Sequence, residues 1–185
     1  MLLKNLGAGK YVDVGMALGA DEMRDARGVA VSDFDADGDL DLIINHNPGV
    51  KEEYKNGIRP TLLRNDVPIG RDGTQGKNRN WLAVQLTGGA GQDSKFANQD
   101  AVGAEVHITL EDKEKMMRHV VVGSSYASQR SKQLHFGLGA HESVAKLVVH
   151  WKRPAGAKTE LSNIPANQLI KIDQLPKKKP FAGAD

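Results

Sequence analysis

Between Ser32 and Ile44 the chain reads SDFDADGDLDLII, which places five aspartates in nine residues with no Lys or Arg among them. Each close pair of like charges costs about 1 kcal/mol even in a water-like dielectric, so the stretch calls for a positive partner. Asp33, Asp35, Asp37, Gly38 and Asp41 fit the spacing D-x-D-x-D-G-x-x-D. Calcium is a hard cation that takes roughly six to eight oxygens at about 2.3–2.6 Å. Carboxylates at positions 1, 3 and 5 of a tight loop converge on one point, and glycine at position 6 permits the sharp turn. Asp39 at position 7 offers its main-chain carbonyl and Asp41 at position 9 returns a carboxylate. The predicted metal ligands are therefore Asp33, Asp35, Asp37, Asp39 and Asp41, and the predicted cofactor is calcium. Magnesium fits less well, because it prefers a smaller octahedral shell that keeps several waters. An EF-hand would carry Glu at position 12, but that position is Ile44, and Leu40–Ile44 reads as a strand. The plain alternative is an exposed acidic turn without metal. The glycine at the required place and the carboxylate beyond it weigh against that.

Other residues suggest chemistry less strongly. His141-Glu142-Ser143-Val144-Ala145 begins like the zinc motif H-E-x-x-H, but alanine replaces the second histidine. No Gly-X-Ser-X-Gly elbow exists for a serine hydrolase. Gly88-Gly89-Ala90-Gly91 lacks the Lys-Ser/Thr of a phosphate cradle and is expected to be a flexible hairpin. His107, His135 and His150 fall on the polar phase of their strands and would form a metal site only if the sheet made them neighbours. Asp100, Glu105, Glu111 and Asp112 are carboxylates that a glycosidase pair could use, but no pattern singles them out. No catalytic residue is predicted. Tyr126, Ser128 and Gln129 form a polar stretch after a Val-rich run and are the candidate binding residues for a sugar or peptide. The competing view of them is a loop whose hydroxyls cap backbone groups.

The elements that must position these residues are strands. Period-2 alternation recurs at Leu82, Val84 and Leu86, at Val102–Leu110, and at Leu134, Phe136 and Leu138. It recurs again at Ala145, Leu147, Val149 and Trp151, and at Ile170 and Ile172. Such alternation predicts strands with one buried face. His119–Val122 reads as a further β-rich run, Thr61–Arg64 as a short strand, and Gly19–Asp25 as the best helical candidate. The composition suits one ordinary domain or a domain plus a fragment: 185 residues, 39% hydrophobic, with net charge +2 from 25 basic and 23 acidic residues. A near-neutral chain with scattered Lys and Arg gives no footprint for nucleic acid. No 18-residue apolar run is available to span a membrane. The absence of cysteine excludes disulfides and thiolate sites. The start, MLLKNLGAGKYVDV, lacks the apolar core of a signal peptide, so a secretion signal is expected elsewhere in a longer parent.

At these residues a resemblance becomes visible. LLKNLGAGKYVDVGMALGA followed by ARGVAVSDFDADGDLDLIINHN resembles the FG-GAP/VCBS repeat, the blade unit of calcium-binding β-propellers. Asn80-Trp81-Leu82, Asn98–Ala104, Gly123–Gln129, Leu134–Gly139 and Val148–Trp151 resemble the ASPIC/UnbV domain, which follows such repeats in the cartilage acidic protein family. The resemblance implies an all-β chain: a partial propeller blade with a calcium loop, then an antiparallel β-sandwich or barrel-like domain. The expected division is a blade segment at 1–66, a linker at 67–79, the β domain at 80–175 and a tail at 176–185. It further implies a calcium-binding, non-enzymatic extracellular binding or adhesion module. This would be the C-terminal part of a longer secreted or cell-surface propeller protein, packed against its further blades. The expected ligand is a glycan or an extracellular protein. A polysaccharide-processing domain and a purely structural propeller cap are the alternatives.

Overall fold

The computed structural model describes residues 1–21, 24–47, 59–65, 80–123 and 126–175. The proposed linker at 67–79 and tail at 176–185 lie outside the described residues. The chain divides into two compact units, one of Met1–Val67 with Gly123–Arg130 and one of Pro68–Val122 with Ser131–Asp185. Among the described residues the regular structure is β apart from one short 3-10 turn, and no α-helix occurs.

The first unit opens with an antiparallel hairpin, β1 (Leu3–Gly7) and β2 (Lys10–Asp13). Its turn needs left-handed backbone at Gly7 (φ 82°), Ala8 (φ 48°) and Gly9 (φ 72°), which explains the glycines on either side of Ala8. The Asn5 carboxamide accepts the Gly7 N–H at 2.8 Å and closes the turn. A second, three-stranded sheet has the order β3-β4-β5, with β3 at Ala26–Ser32, β4 at Asp41–His46 and β5 at Thr61–Leu63. Both pairings are antiparallel. The apolar Leu42-Ile43-Ile44 run supplies the central strand, as β-branched residues favour. The helix expected at Gly19–Asp25 is not formed at its described residues. Gly19 is left-handed (φ 68°), Arg24 is a bend and Asp25 is irregular. One candidate turn beginning at a glycine cannot repay helix nucleation.

The second unit is a two-sheet sandwich. One sheet has the order β11-β10-β7-β8, built from β7 (Glu105–Thr109), β8 (Lys115–His119), β10 (Ser143–His150) and β11 (Lys158–Pro165). The other has the order β12-β6-β9, built from β6 (Asn80–Thr87), β9 (Leu134–Gly139) and β12 (Gln168–Asp173). Their inner faces share one core: Leu82 and Val84 from β6, Phe136 from β9, Val106 and Ile108 from β7, and Leu147 and Val149 from β10. Trp151 closes it at 5% exposure, with its indole N–H donating to Thr159 Oγ1 at 2.9 Å. The pairing is not wholly antiparallel, because β12 runs parallel to β6. These strands are far apart in sequence, and a long return path permits parallel pairing.

Two local expectations fail for physical reasons. The strand expected at His119–Val122 lies earlier, at Lys115–His119, where β8 pairs with β7. Val120 is buried, and its N–H bonds the Ala104 carbonyl rather than extending the strand. The Gly88–Gly91 stretch is a tightly packed 3-10 turn at Gly89–Gly91 rather than a flexible hairpin. A Cβ on Gly88 would stand 1.9 Å from the Asn98 carbonyl oxygen, so glycine is needed there for close approach.

Candidate metal centre

The acidic loop is the connection of the β3–β4 hairpin, with Ser32 opposite Asp41 where the strands part. Its curl is set by aspartates that bond the backbone ahead of them. Asp33 Oδ2 accepts the Gly38 N–H at 3.1 Å, and Asp37 Oδ1 accepts the Asp39 N–H at 2.9 Å. Asp35 Oδ1 accepts a longer bond from the Asp37 N–H at 3.4 Å. Gly38 adopts φ 98° and Ala36 φ 63°, so the loop turns through left-handed backbone at position 6, where glycine was required.

This curl brings one carboxylate oxygen from each of Asp33, Asp35 and Asp37 within 4.8 Å of one another. Asp33 Oδ1 is buried and has no hydrogen-bond partner among the described residues. Buried oxygens of this kind are almost always satisfied, because desolvation without a partner is costly. A cation-coordinating oxygen has that environment.

Asp41 is held differently. It is 1% exposed, and its two oxygens accept the Phe34 N–H at 2.9 Å and the Asn65 N–H at 2.8 Å. It therefore fastens the start of the loop to the start of β4 and to the residues after β5. Asp39 is half-buried. One positive group also lies close: Arg64 Nη1 is 3.6 Å from Asp35 Oδ2. Sequence reasoning missed Arg64 because it follows β5, more than twenty residues after the loop, and only the β4–β5 pairing brings it back.

The candidate binding residues Tyr126, Ser128 and Gln129 also belong to the first unit. Tyr126 is 75% exposed. The Ser128 hydroxyl donates to the Tyr126 carbonyl at 3.0 Å. The Gln129 carboxamide accepts the Gly123 N–H at 2.7 Å and donates to the Arg130 carbonyl at 2.8 Å. Ser128 and Gln129 thus brace their own turn. With Gly28, Ile43 and Pro60 they also line a shallow cavity of about 210 Å³. A Cβ on Gly28 would meet the Ala127 carbonyl oxygen and Ser128 Oγ, both at 2.9 Å, so the segment lies directly on β3.

The scattered carboxylates each have a partner of their own. Asp100 bonds Lys132 at 2.5 Å, Glu111 accepts the Ser143 hydroxyl at 2.8 Å, and Glu105 bonds His107 at 3.2 Å. Asp112 and Glu114 meet His141 between two turns of the second unit. His135 stacks on Trp81 at 6.0 Å in the β12-β6-β9 sheet, away from His107 and His150.

With the geometry in view, the comparisons give the class first. A family profile described as ASPIC and UnbV matches residues 94–179, most of which lie in the second unit. The chain is also distantly similar to cartilage acidic protein 1. Against that of Homo sapiens the identity is 28% over 145 residues, covering 78% of this chain and 19% of the relative. Against that of Xenopus tropicalis it is 32% over 129 residues, covering 69% and 16%. The chain thus spans less than a fifth of the length of the curated relatives it matches. No helix among the described residues is long and apolar enough to cross a membrane.

Proposed function

We propose that this chain is a calcium-stabilised, non-enzymatic extracellular binding module whose first unit is an FG-GAP/VCBS-like blade segment. Two observations carry the reading: one carboxylate oxygen from each of Asp33, Asp35 and Asp37 converges, and Asp33 Oδ1 is buried without a partner among the described residues. A hard divalent cation would add positive charge beyond that of Arg64 and give Asp33 Oδ1 the partner it lacks among the described residues. Asp33, Asp35 and Asp37 would hold calcium, with the Asp39 carbonyl as a fourth protein oxygen. Asp41 clamps the loop through two backbone N–H groups, and each of its oxygens keeps a further lone pair for the ion.

The apolar surface of the first unit supports a place in a larger assembly. Leu3, Leu6, Tyr11, Leu18, Phe34 and Leu62 are exposed there. A propeller blade has about four strands and buries its faces against neighbouring blades. Further blades of a longer secreted or cell-surface parent are the partners that fit this surface, and relatives several times longer than this chain are consistent with such a parent. A glycan or an extracellular protein is the proposed ligand of the assembled protein.

Calcium titration calorimetry on the chelator-treated chain tests the reading. Binding at sub-millimolar calcium is expected, and Asp35→Ala should weaken it while leaving the second unit folded. No heat at millimolar calcium, or equal affinity in Asp35→Ala, would remove the assignment.

A further inference from the structure

The outer face of the β11-β10-β7-β8 sheet gathers imidazoles from three strands. Val106 and Ile108 turn inward from β7, so Glu105 and His107 point outward. Glu105 stands directly opposite His150 on β10 and opposite His119 on β8. Side chains opposed in this way have Cβ atoms about 4.5–5.5 Å apart. On β8, Arg118 lies over the Phe136 ring at 5.6 Å from its centre, which places its neighbour His119 on the outer side. His107 Nε2 is 3.2 Å from Glu105 Oε2, and the His107 and His150 rings are 4.8 Å apart between centres. One carboxylate is therefore flanked by three imidazoles on a rigid sheet.

We infer that Glu105, His107, His119 and His150 form a site for a borderline divalent transition-metal cation of the zinc class. Three neutral imidazoles and one carboxylate are the donors such ions prefer, whereas calcium prefers oxygen alone. The site is distinct from the acidic loop in both place and chemistry, and it does not depend on calcium binding there. Access is open: the side chains of His107 and Glu105 are 44% and 48% exposed. The carboxylate already stands beside one of the imidazoles, with Glu105 Oε2 3.2 Å from His107 Nε2. Other charges on this face are Lys158, opposite His150, Lys115, opposite Thr109, and the Lys146–Glu160 pair at 2.8 Å. The donor atoms of the four ligands are not gathered as closely as those of Asp33, Asp35 and Asp37, so the side chains must rotate to meet on one ion.

The test is calorimetric titration of the full chain with zinc alone, in excess calcium, together with NMR of the histidine side chains. One zinc per chain is expected, with the imidazole signals of His107, His119 and His150 shifting together. His107→Gln and His150→Gln should each weaken zinc by about tenfold or more, since even outer-shell losses cost about that much. Both positions are at the surface, and unchanged melting curves will show that the variants fold. His141→Gln separates this face from the Asp112–Glu114–His141 group and should leave the affinity unaltered. Absence of zinc binding, affinity that survives His107→Gln/His150→Gln, or affinity that follows His141→Gln would each overturn the inference.

Discussion

The two units solve the same problem, ordering short strands, by different means. In the second unit a continuous apolar core joins both sheets, and Leu82, Val106, Leu147 and Phe136 are wholly buried. In the first unit Ile44 is the one buried hydrophobic residue among those described, and its buried company is polar, Asp41 and His46. Its order rests on carboxylates that gather backbone N–H groups. Asp41 takes two, and Asp13 Oδ1 takes those of Leu2 at 3.1 Å and Gly15 at 2.9 Å. The sandwich is stabilised by a nondirectional term that scales with buried area. The first unit depends on directional bonds at single residues, and so on charge state.

The sharpest way to probe the contrast is to injure each unit by its own mechanism. Trp151→Ala removes a buried ring from the sandwich and should cost about 3–5 kcal/mol, read by chemical denaturation. A loss within about 0.5 kcal/mol would mean that the core tolerates a large cavity, and the distinction between the units would weaken.

Asp41→Asn keeps shape but places an amide group where a carboxylate oxygen accepted a backbone N–H. Leaving that buried donor unpaired should cost about 1–3 kcal/mol, confined to the first unit. Amide exchange at Phe34 and Asn65 reports it. Unchanged exchange at both would show that the loop does not rely on this clamp.

The smallest effect expected is acid sensitivity at Asp13. The N–H groups of Gly15 and Leu2 hold its carboxyl below the usual range. A depressed folded value means that the stabilisation is present above about pH 4 and is lost as pH falls through the lowered value. The Gly15 and Leu2 amide shifts should titrate with a midpoint below that of a free aspartate, and Asp13→Asn should abolish the step. A midpoint at or above the ordinary value would contradict the bonding.

Much of the sandwich was legible because burial on one face writes a period of two. Leu147, Val149 and Trp151 alternate, and all three are buried. The loop was legible for a different reason, since its side chains are spaced by local geometry and Gly38 marks the turn. What alternation cannot encode is partnership. Lys115-Met-Met-Arg-His carries no clean apolar phase, so β8 was displaced in the sequence reading to the Val run that follows it. The β12–β6 pairing and the grouping of Gly123–Arg130 with Met1–Val67 are set by contacts far apart in sequence. Arg64 and His119 were overlooked for the same reason, because each gains its significance from a neighbouring strand.

Hydrogen exchange with and without calcium tests the central claim most directly. Binding only to the folded loop adds about 2.7 kcal/mol at a hundredfold excess over the dissociation constant. The account predicts slower exchange over Ser32–Asn47 and at Asn65 when calcium is present, with β6, β7, β9 and β10 unchanged. Identical exchange of the acidic loop in calcium and in chelator would contradict it.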